Sequence, residues 1–338
     1  MLSGRPPLSR PEVAHPAGGP TPVLAAADPV VAFLDAHRTD RLVALPTSGT
    51  SGHVRNVVRT TASWVDSFPA VTDLAGLDHR ARVWVPGPLT ATMNLFAAVH
   101  ARVVGAALVP RPADATHLQL TPSALLRLLD EGPVLTGRTA VVAGDRLEPA
   151  LRARAEEAGL RLAHYYGAAE LSFVAWGMDA LHLRPFPGVE VDIRNGTIWA
   201  RSPFLANCTG GEPGPFHRGA DGFATVGDCG AWRGGQLLVS GRDDAVVTGG
   251  VTVLLADVEA ALWPRLVGQV AVLGLPHPML GEVVAVVLTD ERDRASARAA
   301  VAGLGPARPR RWFLRPALPL TPAGKVDRRA LTTELMDR

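Results

Sequence analysis

The chain has 338 residues, and its 34 basic and 32 acidic side chains give a formal net charge of +2. This near balance excludes the strongly basic surface of a nucleic-acid-binding protein, and no apolar run approaches the roughly 18–20 residues that cross a bilayer. We find no signal peptide, and the two cysteines, Cys208 and Cys229, have no metal-ligand spacing. We therefore predict a cytoplasmic protein with neither nucleic-acid nor membrane partners.

The first 27 residues are rich in proline, glycine and alanine and are predicted to form a flexible leader. Asp28 can cap a short helix whose first residue is Pro29, because proline suits the first helical position. The apolar runs Leu42–Leu45 and Val57–Val58 then predict strands on either side of a polar loop.

This loop places four hydroxyls and two glycines at six consecutive positions: Thr47, Ser48, Gly49, Thr50, Ser51 and Gly52. Glycines allow a ligand to approach the backbone, and closely spaced N–H and hydroxyl groups suit an anion. Arg55 adds a positive charge suited to phosphate oxygens. No Gly-Lys-Ser/Thr follows, so the loop is not a Walker P-loop. It is either a phosphate-binding loop or a polar surface turn.

Short apolar strands and helices alternate after the loop, which predicts an α/β fold with a largely parallel sheet. The predicted strands are 82–85, 107–110 and 139–144, and the predicted helices are 95–100, 122–129 and 148–158. Gly144 ends the third of these strands. Ligands bind at the carboxyl ends of such strands, so Gly144 is a candidate contact, with a plain strand-to-helix turn as the alternative.

The chain's two tyrosines, Tyr165 and Tyr166, stand shortly before Gly167 and Glu170. An aromatic ring offers a stacking face, and a single carboxylate suits Mg²⁺ bound mainly by phosphate oxygens. Core aromatics would explain the tyrosines equally well. Farther along, Asn195-Gly196 predicts a hairpin turn, and residues 208–222 are predicted to form a loop.

The last third of the chain carries two further polar segments and one unusual lysine. Asp228 stands in Thr225-Val226-Gly227-Asp228, and Arg242 and Asp243 follow Gly241. Lys325 is the only lysine among the 34 basic residues. Arginine cannot replace lysine in every chemical role, so this lysine is a candidate functional residue, with chance as the alternative.

Four ordered motifs, at 47–56, 165–170, 225–230 and 319–328, resemble those of the adenylate-forming (AMP-binding, acyl-CoA synthetase-like) superfamily. They are similar to Thr-Ser-Gly-Thr-Thr-Gly-x-Pro-Lys-Gly, Tyr-Gly-x-Thr/Ser-Glu, Thr-Gly-Asp-x-Gly and Pro-x-Thr-x-x-Gly-Lys-x-x-Arg. The departures are Ser51, Val54, Arg55, Asn56 and Ala169. The chain most resembles short members such as bacterial o-succinylbenzoate–CoA ligases, with the subdomain ahead of the loop reduced or missing.

The resemblance implies an α/β fold with a large N-terminal domain of mostly parallel sheets flanked by helices. A small C-terminal α+β domain joined by a hinge would carry the catalytic lysine. We expect a leader at 1–27, a truncated adenylation domain at 28–242 and a mobile domain at 243–338, with the hinge at Asp243.

The resemblance also implies that ATP activates a carboxylic acid to an acyl-adenylate, followed by transfer to coenzyme A. Lys325 and Glu170 would be catalytic, with Glu170 holding Mg²⁺, and Gly249 and Gly250 would face the coenzyme A side. The implied ATP/AMP contacts are Thr47, Ser48, Gly49, Thr50, Ser51, Gly52, Arg55, Gly144, Tyr166, Gly167, Asp228 and Arg242.

Two alternatives stay open at this point. The acyl group could pass to a carrier protein or to an amine, and the chain could be a degenerate nucleotide-binding or scaffolding homologue. A homodimer is also left open. The sequence does not identify the acid.

Overall fold

The computed structural model describes residues 19–48, 54–210, 215–241, 245–321 and 326–336. Within these ranges the helices are α1 (Pro29–Arg38), α2 (Ala62–Val65), α3 (Phe68–Ala75), α4 (Thr92–Val104), α5 (Pro122–Asp130), α6 (Pro149–Glu157), α7 (Leu255–Leu262), α8 (Arg294–Ala300) and α9 (Arg328–Met336). The strands are β1 (Leu42–Ser48), β2 (Val54–Thr60), β3 (Arg82–Trp84), β4 (Ala107–Leu108), β5 (His117–Leu120), β6 (Thr139–Val142), β7 (Arg161–Ala168), β8 (Ser172–Gly177), β9 (Arg184–Pro185), β10 (Glu190–Arg194), β11 (Thr197–Arg201), β12 (Cys208–Gly210), β13 (His217–Arg218), β14 (Ala224–Thr225), β15 (Cys229–Arg233), β16 (Gln236–Ser240), β17 (Ala245–Thr248), β18 (Val251–Leu254), β19 (Val270–His277), β20 (Gly281–Leu288) and β21 (Arg311–Leu314).

The largest sheet has seven strands in the order β4-β3-β5-β6-β7-β8-β9. Strands β4, β3, β5, β6 and β7 pair in parallel, and β8 and β9 add antiparallel pairs at one side. Leu118 and Val142 belong to an apolar cluster with residues of α5 and α6. Side chains alternate across a strand, so Gln119 and Val141 lie on the opposite face, towards α4.

Two antiparallel sheets accompany the large sheet. One has the order β1-β2-β12, and the other has the order β13-β14-β11-β15-β16 with β10 paired to β11. The predicted α/β fold class is confirmed, with its parallel pairing concentrated in the seven-stranded sheet. The predicted Asn195-Gly196 turn is also confirmed, because both residues have positive φ angles between β10 and β11.

The predicted loop at 208–222 is wrong at two places. Cys208–Gly210 forms β12 and pairs with β2, and His217–Arg218 forms β13 and pairs with β14. The Gly- and Pro-rich composition suggested a loop, but free backbone groups at the edge of β2 provide a pairing partner that composition does not reveal.

Residues 19–27 were expected to belong to a flexible leader, but they pack against the first strand. The backbone of Thr21 exchanges hydrogen bonds with Leu42 and Ala44 at 2.8 Å each. Val23 and Leu24 are buried in the same cluster as Phe33 of α1. This part of the N-terminal segment is therefore a structural element, because it buries apolar surface.

The C-terminal sheet has the order β18-β17-β20-β19, with β21 parallel to β20. Alternating residues of β19 and β20 point to opposite faces. Val272 packs in a cluster with residues of α7 and α8, whereas Leu273 packs with Leu331 and Leu335 of α9. Across the described ranges, no helix combines the length and apolarity that crossing a bilayer requires.

The cap of α1 gives a test of the local fold. The Asp28 carboxylate accepts hydrogen bonds from the backbone nitrogens of Val30 (3.0 Å) and Val31 (3.1 Å). Asp28→Ala should lower the free energy of unfolding by about 1 kcal/mol, measured by urea denaturation. Asp35→Ala is the control, because the Asp35 side chain forms an exposed ion pair with Arg38, which contributes little to stability. Equal losses in the two variants would contradict the capping role.

Candidate active site

Gly144 lies at the carboxyl edge of the seven-stranded sheet, as predicted. It follows β6 and has a φ angle of +90°, which favours glycine. A Cβ atom at this position would lie 3.5 Å from Cγ2 of Thr121 and 3.8 Å from Sδ of Met93. Gly144 therefore stands between the residue that follows β5 and the first turn of α4.

Tyr166 and Asp228, predicted from separate motifs, are in direct contact. The Tyr166 hydroxyl donates a 2.8 Å hydrogen bond to Oδ2 of Asp228, although the residues are 62 positions apart. The turn that carries Asp228 is fixed by its own bonds, since Thr225 Oγ1 accepts from the backbone nitrogen of Gly227 (3.0 Å) and Ile198 donates to the Asp228 carbonyl (2.8 Å). A hydroxyl and a carboxylate are thereby held side by side beyond the end of the parallel strands.

Gly167 is required by the close approach of β7 and β8. The pairing register shifts between Tyr166 and Gly167, and a Cβ atom at Gly167 would lie 2.2 Å from the carbonyl oxygen of Ser172. Such irregularities redirect a neighbouring side chain. The glycine next to Tyr166 therefore helps to set the direction of the tyrosine ring.

Glu170 lies in the tight turn between β7 and β8 and is buried. Its backbone carbonyl accepts a 2.8 Å hydrogen bond from Ala206. The carboxylate lies near the fully buried guanidinium of Arg59 on β2. Burial lowers the pKa of Arg59 to about 9, and the charge of Glu170 opposes this shift. Arg59 therefore stays charged at neutral pH.

Arg59 was not predicted as a site residue from the sequence. Its guanidinium donates to Ser63 Oγ (2.9 Å), to the Ala169 carbonyl (2.8 Å) and to the Phe204 carbonyl. The signal was present, because an arginine follows the buried pair Val57–Val58 within a strand. A charge in such a position needs buried partners.

Glu170 could bind Mg²⁺ only together with phosphate oxygens. Among the described residues, no group of three or more His, Cys, Asp or Glu side chains could hold a metal ion. Mg²⁺ at nucleotide sites commonly takes one or two carboxylates together with phosphate oxygens and water. The described hydrogen bonds of Arg59 go to three neutral acceptors, and Glu170 acts on it through its charge.

The predicted phosphate-binding loop is bracketed by paired strands. Thr47 on β1 lies opposite Arg55 on β2, and Ser48 lies opposite Val54. The predicted strands on both sides are thus present. The tip of the loop, with Gly49, Thr50, Ser51 and Gly52, falls outside the described residues, as do Arg242 and Asp243.

Gly249 and Gly250 form the exposed turn between β17 and β18. Their φ angles are +57° and +80°, and positive values at both central residues are typical of a tight two-residue hairpin turn. The backbone nitrogen of Gly249 donates to the Leu280 carbonyl at 3.0 Å. The need for glycine is explained here by the turn.

Val326 contacts the sheet edge that carries Gly144. Lys325, the residue before it, is not among the described residues, but Leu320 and Val326 form an antiparallel bridge. The backbone nitrogen of Val326 donates to Oδ2 of Asp145 at 2.9 Å. The residue after Lys325 is therefore bonded to the residue after Gly144.

A buried ionic cluster, which was not predicted from the sequence, stabilises this contact. Glu259 of α7 is almost fully buried and pairs with Arg146 and with Arg328 (3.0 Å). Its Oε1 also accepts from the backbone nitrogen of Val272 at 3.2 Å. Burial, reinforced by Glu259 and then Asp145, raises the pKa of Glu148 to about 8. At neutral pH Glu148 is therefore mostly protonated, and two arginines balance Glu259.

Comparisons with known proteins agree with the sequence motifs. No family model matches the chain. An uncharacterized acyl–CoA ligase of Bacillus subtilis is 27% identical over 324 residues, covering 83% of this chain and 66% of that protein. A probable 2-succinylbenzoate–CoA ligase of Mycobacterium tuberculosis is 29% identical over 329 residues, covering 86% of this chain and 84% of that protein. The chain thus spans about two thirds of the first relative and more of the second.

Solved structures confirm the fold. The ATP-bound crystal structure of MatB from Rhodopseudomonas palustris superimposes with a TM-score of 0.75 at 21% identity, covering 88% of this chain and 69% of that one. The predicted resemblance to the adenylate-forming superfamily, and to 2-succinylbenzoate–CoA ligases within it, is confirmed.

Gly167 gives a test of the site geometry. Gly167→Ala should lower the free energy of unfolding by about 1–3 kcal/mol, because the added methyl group collides with the Ser172 carbonyl. Gly303→Ala is the control, since nothing lies within 4 Å of a Cβ there. Identical urea denaturation midpoints for the two variants would contradict the close approach of β7 and β8.

Proposed function

We propose that this chain uses ATP to activate a carboxylic acid as an acyl-adenylate and then transfers the acyl group to the thiol of coenzyme A. The observation that carries the proposal is the Tyr166–Asp228 hydrogen bond, which joins two nucleotide motifs beyond the carboxyl ends of the parallel strands. The names of the relatives, which are acyl–CoA ligases, support it.

The nucleoside part of ATP would bind at this pair. The Tyr166 ring offers a stacking face for adenine. Asp228 would accept hydrogen bonds from the ribose hydroxyls, as an ionised carboxylate can. The bond from Tyr166 fixes the rotamer of the carboxylate, so that less conformational entropy is lost on binding. Gly144, Gly167 and Arg242 would line the same nucleotide site.

The phosphates would bind between the loop at 47–52 and Lys325. In the first step a carboxylate oxygen of the acid attacks the α-phosphorus, and the bond to the β-phosphate oxygen breaks, releasing pyrophosphate. Loop hydroxyls and N–H groups, Arg55 and Lys325 would stabilise the developing charge. Glu170 would hold Mg²⁺, which neutralises phosphate charge when bound.

In the second step the thiol gives its proton to solvent, its sulfur attacks the acyl carbonyl carbon, and AMP leaves with the electron pair of the broken acyl–oxygen bond. We assign the chain to an adenylation domain at 28–242 and a mobile domain at 243–338, with Asp243 as the hinge and Gly249 and Gly250 on the thiol side. The low cysteine content, with Cys208 and Cys229 as the two cysteines of the sequence, fits the reducing cytoplasm in which coenzyme A is used.

The experiment that tests this function is acid-dependent pyrophosphate release, run over a panel of aryl and alkyl acids. It is repeated with coenzyme A, with a carrier-protein thiol and with an amine as acceptors. Release that depends on the acid, followed by thioester formation with coenzyme A, supports the proposal. Nucleotide binding without release for any acid would favour a degenerate homologue, and product formed only with another acceptor would replace coenzyme A.

Lys325→Ala should reduce acyl-adenylate formation by at least about a hundredfold, because a charge contact made in the transition state is removed. Thioester formation from a supplied acyl-adenylate should be nearly unchanged. Lys325→Arg should also fail in the first step, since a planar guanidinium does not replace a compact ammonium. Equal loss of both half-reactions would indicate a structural role for Lys325.

Asp228→Ala should raise the Kd for ATP and for AMP alike, by about ten- to a hundredfold, since a charged hydrogen-bond acceptor is lost. Isothermal titration calorimetry measures both constants. Asp192→Ala is the matched control, because the Asp192 side chain lies at the surface and forms an ion pair with Arg194. Normal binding of both nucleotides by the Asp228 variant would make Asp228 a turn residue only.

A further inference from the structure

A cavity of about 40 Å³ lies between the seven-stranded sheet and helices α3 and α4. Gln119, Val141 and Tyr165 line it from neighbouring strands, and Phe96, Ala97 and His100 line it from α4. Because one water needs about 10–15 Å³ of such space, the cavity can hold a group of roughly three non-hydrogen atoms.

The cavity lies on the α4 side of the sheet, and β6, one of the strands that line it, ends two residues before Gly144. Met93, in the first turn of α4, approaches the Cβ position of Gly144 to 3.8 Å. Ala97 and His100 follow on the same face of α4, one and two turns further along. With a rise of 1.5 Å per residue, they lie about 6 and 10 Å from the level of Met93. For an acid with its carboxylate near Gly144 and its body along α4, the far end would lie at the level of the cavity residues Ala97 and His100.

The cavity wall carries no charge at neutral pH. No Arg, Lys, Asp or Glu is among the described residues that line it. Burial lowers the pKa of His100 to about 4, and its ring forms hydrogen bonds with Thr72 Oγ1 (2.8 Å) and with the Phe68 carbonyl. The His117 ring is also hydrogen-bonded, to Thr116 Oγ1 at 3.0 Å and to the Gly76 carbonyl at 3.1 Å.

The side-chain amide of Gln119 is a polar group in the cavity wall. Its side chain is buried, with 8% of the residue exposed. Within the part of the chain that the structure describes, its amide nitrogen has no hydrogen-bond partner. Native proteins seldom leave a buried donor unpaired, so such a group in a cavity requires an acceptor, which a bound ligand can supply.

We propose that this cavity binds the far end of the acyl substrate and selects a monocarboxylic acid whose far end is uncharged and carries a hydrogen-bond acceptor for Gln119. This rests on the proposed acid activation. A dicarboxylic acid would place its second carboxylate among uncharged groups, where an ion without a partner is strongly disfavoured.

Three para-substituted benzoates of similar shape test the selection: 4-acetylbenzoate, 4-isopropylbenzoate and 4-carboxybenzoate. They present a neutral acceptor, an apolar isostere and a second charge at the same position. The kcat/KM for acid-dependent pyrophosphate release should be highest for the acetyl acid. We expect it to be about tenfold lower for the isopropyl acid and at least a hundredfold lower for the carboxy acid.

Gln119→Leu should reverse the preference between the acetyl and isopropyl acids, by about tenfold in favour of isopropyl, and leave the Kd for ATP unchanged. Gln119→Met, of similar volume, should do the same and serves if the leucine variant folds poorly. Gln236→Leu is the matched control, because Gln236 lies on β16 in another sheet and should leave the ratio as in the wild type.

Two results would overturn the inference without affecting the proposed function. One is equal turnover of the carboxy and acetyl acids by the wild-type protein. The other is an acetyl-to-isopropyl ratio of kcat/KM that is unchanged in both Gln119 variants. If no acid releases pyrophosphate, the proposed function fails. Calorimetric titration of the three acids into the full chain with ATP then decides about the cavity. The cavity proposal is supported if the three acids bind in the same order of affinity and this order is lost in the Gln119 variants. It is overturned if the acids do not bind or bind with equal affinity.

Discussion

The site depends first on the buried guanidinium of Arg59. A charge removed from water destabilises the fold unless hydrogen bonds compensate it, and Arg59 obtains these bonds from three separate segments. They are the start of α2, the β7–β8 turn at Ala169 and the segment at Phe204. If one of them moved away, a buried donor would be left unpaired. The strand that follows the predicted phosphate-binding loop and the turn that carries Glu170 are therefore held in one arrangement.

Features encoded by short-range patterns could be predicted from the sequence. The Asp28 cap and the Asn195-Gly196 turn depend on residues a few positions apart, so their signals are complete within a short window. The alternation of apolar strands and helices similarly specified the α/β class. For the site, each motif suggested its own chemistry. That Tyr166 and Asp228 bond to each other could not be derived, because the distance between motifs depends on how two sheets meet.

What could not be predicted depends on partners far away in the chain. Residues 19–27 have the composition of a leader, yet Val23 is buried because Phe33 and Val43 offer an apolar surface. Cys208–Gly210 became a strand because β2 has an edge to pair with. Glu259 gave no sign of burial, because its arginine partners are remote in sequence. In each case the local pattern was ambiguous and a distant contact decided the outcome.

Ion pairs and a hydrogen bond hold Val326 and Arg328 against the sheet edge. Glu259 is balanced by Arg146 and Arg328, and Asp145 accepts from the Val326 backbone. With its pKa raised to about 8 by burial, Glu148 adds little negative charge at neutral pH. Polar surfaces of this kind are typical of interfaces between domains that move, because their groups can exchange a partner for water when they separate. An apolar contact of the same area would resist separation, since it would expose apolar surface to water. The chemistry of this contact is thus compatible with the proposed movement of the C-terminal domain, in which Lys325 would reach the phosphates in one step and withdraw in the next.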